Sequence, residues 1–168
     1  MPVWQVLHYF FKYPEHVLRG AQVVRALPTI SKSAIYNALH GLERIRVVSK
    51  ATTHGGYQLN RDVVWLRPLM LANNVVALQP LVDRLAAVAS KIVLFGSRST
   101  AEYDSASDYD VFIVSSYPDQ VRKIVRALRC ADHLQLIITL PEEWLGLHEA
   151  DPELYQSIQQ GVALWERK

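Results

Sequence analysis

The sequence predicts a mixed α/β (α+β) protein in two parts, and three observations carry that reading. Apolar residues recur at helical spacing up to Ile45 and are followed by two short strand-like runs. From Lys91 onward, apolar strand-like runs alternate with helical segments. Charge divides in the same way. Residues 1–66 hold eight Lys/Arg against three Asp/Glu, and residues 67–168 hold ten against thirteen, so the chain's net +2 joins a basic front to an acidic back. A polyanion partner is expected at the front.

The front half reads as three helices and a hairpin. Val3, Val6, Leu7 and Phe10 keep helical spacing until Pro14. A second helix runs from Ala21 to Leu27 and closes before Pro28. Ser31 is placed to cap a third, because its hydroxyl can accept from the open N–H groups of a first turn. Ile35, Ala38, Leu39, Leu42 and Ile45 then form one apolar stripe. Val47–Ser49 and Tyr57–Leu59 are expected as strands, with Thr53, His54, Gly55 and Gly56 as the turn. Three helices followed by a hairpin is the order of a winged helix-turn-helix, assigned here to residues 1–66.

Residues 67–90 are rich in Leu, Ala and Val and predict a connecting helix, interrupted near Pro80. Residues 91–168 form the second domain. Strands are expected at Ile92–Phe95, Tyr109–Val114 and Leu134–Leu140. Helices are expected at Asp119–Leu128, Pro141–His148 and Pro152–Trp165, where Pro118, Pro141 and Pro152 suit a first turn.

Composition excludes several classes. Half of the residues are hydrophobic and a fifth charged, which is globular and not disordered. No run of apolar residues is long enough for a membrane span, and the N-terminus lacks the basic region and cleavage site of a signal peptide. Cys130 is the one cysteine, so no intrachain disulfide forms and a cytoplasmic setting is expected. A lone cysteine of this kind reads as a small hydrophobe, not a nucleophile.

Two sets of residues carry chemistry. On the third helix, Lys32, Ser33, Tyr36, Asn37 and His40 lie opposite the apolar stripe. Such side chains on a helix can reach base edges and phosphates in a major groove of double-stranded DNA. Arg44, Arg46 and Lys50 extend the positive surface toward the hairpin. His54 reads as a hairpin-tip residue, since no second ligand stands at zinc spacing.

The second set begins at Gly96-Ser97, directly after an apolar strand. Glycine allows close approach of a ligand to the backbone, and the hydroxyl and N–H groups of such a turn favour anions. Asp108 and Asp110 have one residue between them, so that if both lie on the strand they point to the same face. Their mutual repulsion is relieved by a divalent cation, and Mg²⁺ takes carboxylate and phosphate oxygens together. These are the parts needed for phosphoryl or nucleotidyl transfer.

Gly96-Ser97, ten residues, then Asp108-x-Asp110 resembles the signature of the minimal nucleotidyltransferases, a branch of the DNA polymerase β superfamily. Ser107, Arg98 and the apolar Val111–Val114 fit the same pattern, and the likeness extends to Tyr57-x-Leu59-Asn60 and Gly161-Val162. The whole chain resembles proteins with a winged helix ahead of such a domain. The resemblance implies a polymerase-β-like mixed sheet flanked by helices. It implies that Gly96, Ser97, Arg98 and Ser107 bind nucleotide, and that Asp108 and Asp110 hold Mg²⁺ and carry catalysis. It further implies transfer of AMP from ATP, or of another nucleoside monophosphate from its triphosphate, to a hydroxyl. The partners it implies are a HEPN-type toxin, for which the protein would be the antitoxin, or an operon regulated by a homodimer. The alternative is a weak or inactive transferase fold that dimerises a DNA-binding regulator or senses nucleotide for it.

Two positions depart from that pattern. Ala101 stands where the family has glycine, which is harmless only if the backbone there is not left-handed. Gln135 stands where a third carboxylate is expected, and a neutral amide cannot act as a base. Asp132 and His133 are the nearby substitutes; Glu142 and Glu143 suit a helix start instead.

Overall fold

The computed structural model describes residues 1–52, 55–128 and 133–167. His54, Cys130 and Asp132 lie outside the described residues. The chain divides into two compact units, Met1–Met70 and Leu71–Lys168. The boundary falls inside a helix, a few residues later than the charge pattern places it.

The first unit holds α1 (Pro2–Lys12), α2 (Gly20–Ala26), α3 (Lys32–Arg44), β1 (Val48–Lys50) and β2 (Tyr57–Leu59). Ser31 caps α3 as expected, its Oγ accepting from Ala34 N at 3.3 Å. Ile35, Ala38, Leu39 and Leu42 turn inward against Val6, Leu7, Phe10, Phe11 and Val23, all buried. Ile45 departs from its expected place in that stripe. It is the C-cap of α3 and 53% exposed, because the helix has ended and the chain is turning. α2 and α3 pack closely at Gly20, where a Cβ would lie 2.9 Å from the Tyr36 ring. β1 and β2 pair antiparallel. Leu18 joins them by a bridge to Tyr57, with N–H to carbonyl distances of 2.8 and 2.9 Å.

In the second unit, α4 (Leu66–Leu85) continues through Pro80 instead of breaking there. Proline removes one helix hydrogen bond. Leu78, Leu81 and Leu85, each buried against the sheet, hold the helix on both sides of the gap. The sheet contains β3 (Lys91–Phe95), β4 (Tyr109–Val114), β5 (Leu134–Thr139) and β6 (Val162–Glu166), in the order β5-β4-β3-β6. β4 and β5 are parallel, and β3 is antiparallel to both β4 and β6. Side-chain alternation splits the core into two layers. Ile92, Leu94, Val111 and Ile113 pack with α4 and with Val121 of α6 (Pro118–Ala127). Val93, Phe95, Phe112 and Val114 pack on the other face, against Trp144 and Leu147 of α7 (Pro141–Ala150) and Leu154 and Ile158 of α8 (Pro152–Gln159).

The C-terminal helix predicted over Pro152–Trp165 is corrected here. It ends at Gln159, and Val162–Glu166 forms the edge strand β6 instead. Gly161 makes the switch. A Cβ there would lie 2.6 Å from the Leu94 carbonyl oxygen, so only glycine lets the chain run against β3. Helical propensity of ALWE is overridden by the open hydrogen-bonding edge of β3. Among the described residues no helix is long and apolar enough to cross a membrane.

Candidate active site

The strand ends of β3 and β4 build the site. β3 delivers Gly96, and the one-turn α5 (Ser97–Thr100) follows it. Gly96 has φ 68° and ψ −161°, a region open to glycine and closed to other residues. A Cβ at Gly96 would contact Asp110 Oδ2. The bend and the carboxylate therefore face each other across β3 and β4, where Asp110 pairs with Phe95. Asp110 points to the same sheet face as Phe112 and Val114, by strand alternation. Asp108 stands two residues earlier, just before the strand begins.

Electrostatics follow from this placement. Burial pushes the Asp110 carboxyl above the usual carboxylate range, the Asp108 charge adds to the effect, and the Arg98 charge partly offsets it. Asp108 Oδ1 also has His133 Nδ1 at 3.7 Å, both side chains being partly exposed. Gln135 is opposite Asp110 in the parallel β4–β5 register. It therefore shares the face of Asp110, but it is an exposed amide.

Arg98 and Ser107, both expected to touch nucleotide, are held by contacts within the chain. Arg98 is 7% exposed, with its guanidinium carbon 4.4 Å from the Tyr103 ring centroid and 4.0 Å from that of Tyr109. Its Nε and Nη2 donate to the Ser107 carbonyl at 3.1 and 2.8 Å. Ser107 Oγ in turn donates to Asp104 Oδ1 at 2.8 Å and accepts from Asp104 N at 3.0 Å. The bond from Ser107 Oγ, with one from Ala106 N, holds the exposed Asp104 carboxyl below its ordinary pKa.

Ala101 takes the harmful alternative. Its φ of 60° and ψ of 24° are left-handed, and it is buried. A left-handed alanine costs about 1 kcal/mol relative to glycine. Ala101→Gly is therefore expected to stabilise the protein by up to about 1 kcal/mol, less the entropy glycine adds to the unfolded chain. Urea denaturation of the two proteins checks this, and an unchanged or lower midpoint would contradict it.

A cleft of about 240 Å³ opens beside the bend. Gly96, Ser97, Thr100 and Glu102 form one wall, and Ser157 of α8 with Gln160 at its end forms the other. Nothing local in the sequence marks this second wall. Those two residues lie far along the chain, and the close approach of Gly161 to β3 is what brings them to α5.

On the first unit, Lys32, Ser33, Asn37 and His40 are exposed along one side of α3, whereas Tyr36 is half-buried against Gly20. Lys50 pairs with Glu43 at 3.3 Å, and His40 has the same carboxylate at 3.7 Å. Arg44 and Arg46 are exposed.

Residues 80–146 match the family model described as "Nucleotidyltransferase domain", a segment that contains Gly96, Ser97, Asp108, Asp110 and Gln135. The second unit thus carries a nucleotidyltransferase-like domain. A solved protein from Sulfolobus solfataricus described as a nucleotidyltransferase is similar at 18% identity and a TM-score of 0.40, over 58% of this chain and 84% of that one. An IclR family transcriptional regulator from Brucella abortus is similar at 17% identity and a TM-score of 0.36, over 95% of this chain and 62% of that one. A search of curated proteins returned no match.

Proposed function

We propose that the second unit is a Mg²⁺-dependent nucleotidyltransferase that takes a nucleoside triphosphate, ATP by resemblance, and transfers its nucleoside monophosphate to a hydroxyl acceptor. The observation that carries the reading is the meeting of the Gly96 bend with Asp110, with Asp108 beside it. Two carboxylates this close, one of them resisting ionisation, are a donor set that suits a divalent cation. Among the described residues no group of three or more His, Cys, Asp and Glu side chains is placed to hold a metal. That fits Mg²⁺, which is commonly held by one or two carboxylates and completed by substrate phosphates and water. When bound, the ion neutralises charge on the transferring phosphate. The chain's own part is to hold Asp108 and Asp110 as its ligands and to offer Ser97 Oγ and the open backbone of Gly96 to the phosphate tail. β5 supplies no base, because position 135 is an amide. Proton removal from the acceptor falls to solvent or to His133, whose Nδ1 lies 3.7 Å from Asp108 Oδ1.

The test is calorimetry with ATP and Mg²⁺ on the wild type and on the Asp108→Asn/Asp110→Asn protein, followed by transfer of label from ATP to an acceptor. The wild type is expected to bind only with metal. The double variant is expected to lose about 10²-fold or more in affinity, as both carboxylate ligands are gone. Equal binding by the two proteins would remove the reading.

A second reading concerns the first unit and rests on the exposed side of α3 with Arg44 and Arg46 near its end. We infer that this unit is a winged helix-turn-helix that binds double-stranded DNA, Lys32 meeting phosphate and Asn37 a base edge, with two copies matching a twofold site. In such a protein the transferase unit serves as the regulator's nucleotide-responsive part, and an antitoxin that controls its own operon would use both units. Lys32→Ala is expected to weaken duplex binding uniformly across sequences and to reduce the salt slope of log K by about 1. The Asp108→Asn/Asp110→Asn protein should keep its duplex affinity. Fluorescence anisotropy at several salt concentrations measures both, and an unchanged Lys32→Ala slope would exclude the assigned face.

A further inference from the structure

Arg98 is a buried charged side chain held by two hydrogen bonds and two tyrosine rings. We propose that Arg98 is a positioning residue: with Tyr103, Tyr109 and Asn74 it locks the turn before β4 to α5 and so fixes where Asp108 and Asp110 stand. The inference rests on the reading of those carboxylates as metal ligands.

The geometry is a closed set of contacts. The guanidinium carbon lies over two tyrosine rings, 4.4 Å from the Tyr103 centroid and 4.0 Å from that of Tyr109. Arginine's planar guanidinium engages aromatic faces in a way that lysine's ammonium does not. Its fork grips one carbonyl, that of Ser107, through both Nε and Nη2. Ser107 is the residue immediately before Asp108, and Tyr109 immediately after it. The Arg98 grip therefore brackets Asp108 on both sides. The other end of Arg98 is held as well. Its backbone carbonyl accepts from Asn74 Nδ2 at 2.9 Å, and the fully buried Asn74 also has the Tyr109 hydroxyl within 3.5 Å. Outer groups that orient metal-binding side chains commonly matter 10- to 100-fold in metal affinity.

Charge and position make opposite predictions, which gives the test its power. Arg98 is a cation near two carboxylates. By charge alone, replacing it with a neutral residue should tighten binding of a divalent cation. If Arg98 positions the carboxylates, replacement should weaken it. A phosphate-binding Arg98 would leave cation affinity unaffected or improved in the absence of nucleotide, and would mainly lower affinity for tripolyphosphate.

The experiment measures Mn²⁺ binding by electron paramagnetic resonance on the full chain without nucleotide. The proteins are wild type, Arg98→Gln, Arg98→Lys and Tyr103→Leu, each checked for native near-ultraviolet circular dichroism. Tyr103→Leu removes one of the two rings while keeping the charge, and it serves where Arg98→Gln fails to fold. The expected result is a loss of Mn²⁺ affinity of about tenfold in every folded variant. Partial recovery by guanidinium ion in the Arg98→Gln protein, and none by methylammonium, is expected too. Mn²⁺ affinity that is unchanged or tighter in the folded variants would overturn the positioning role alone. A wild type whose Mn²⁺ binding ignores Asp108→Asn/Asp110→Asn would overturn the metal reading of the site and this inference with it.

Discussion

Gly96→Ala is expected to lose metal-dependent nucleotide binding and to destabilise the second unit by about 1–3 kcal/mol, the cost of a backbone region reserved for glycine. Two independent effects combine at this position. The φ of 68° with ψ of −161° is unavailable to alanine without strain. The added methyl would also meet Asp110 Oδ2, so the carboxylate must swing away from the bend or the bend must open. Either movement separates the two halves of the proposed site. Urea denaturation reads the first effect and Mn²⁺ binding the second, and both are expected to change together. A Gly96→Ala protein with the wild-type urea midpoint and Mn²⁺ affinity would show that the bend and Asp110 do not constrain each other.

Much of this arrangement is legible in the sequence because it is local. The Gly96-Ser97 turn, the Asp108-x-Asp110 pair and the strands beside them lie within one short stretch, where strand alternation already sets the face of Asp110. Ser31 as a cap and the inward stripe of α3 are local in the same sense. What the sequence hides depends on distant contacts. β6 reads as helix until the open edge of β3 claims it. Ser157 and Gln160 join the cleft only because Gly161 sits against the Leu94 carbonyl. Arg98 carries no local sign that its guanidinium meets the rings of Tyr103 and Tyr109. The conformation of Ala101 was a fork that composition cannot resolve, since alanine's own preference is against the φ it adopts.

Gln135→Glu tests the remaining departure from the pattern and is expected to have the largest effect on rate. β4 and β5 run parallel with Asp110 opposite Gln135, and neighbouring strands lie about 4.8 Å apart. A carboxylate at 135 therefore stands beside Asp110 on the same face. If the transfer reaction lacks only a positioned base, that carboxylate should raise the metal-dependent rate by about 10²–10⁴. The metal-free protein should show the opposite sign. Like charges on paired strand positions are destabilising, by about 0.2–1 kcal/mol. The penalty requires both groups ionised, and Asp110 already titrates above its ordinary range because of burial and Asp108. A raised carboxyl pKa in the folded state favours the protonated form, so its contribution to stability is present at low pH and lost as pH rises through that pKa. The stability gap between wild type and Gln135→Glu in EDTA should thus be widest near neutrality and close on acidification. Adding Mg²⁺ at neutral pH should close it as well, since the ion binds the folded carboxylate cluster and stabilises it by mass action. Thermal denaturation across pH, with EDTA or with Mg²⁺, reads these differences beside the transfer assay. No rise in rate and no metal-free penalty would mean that position 135 does not face the Asp108–Asp110 pair.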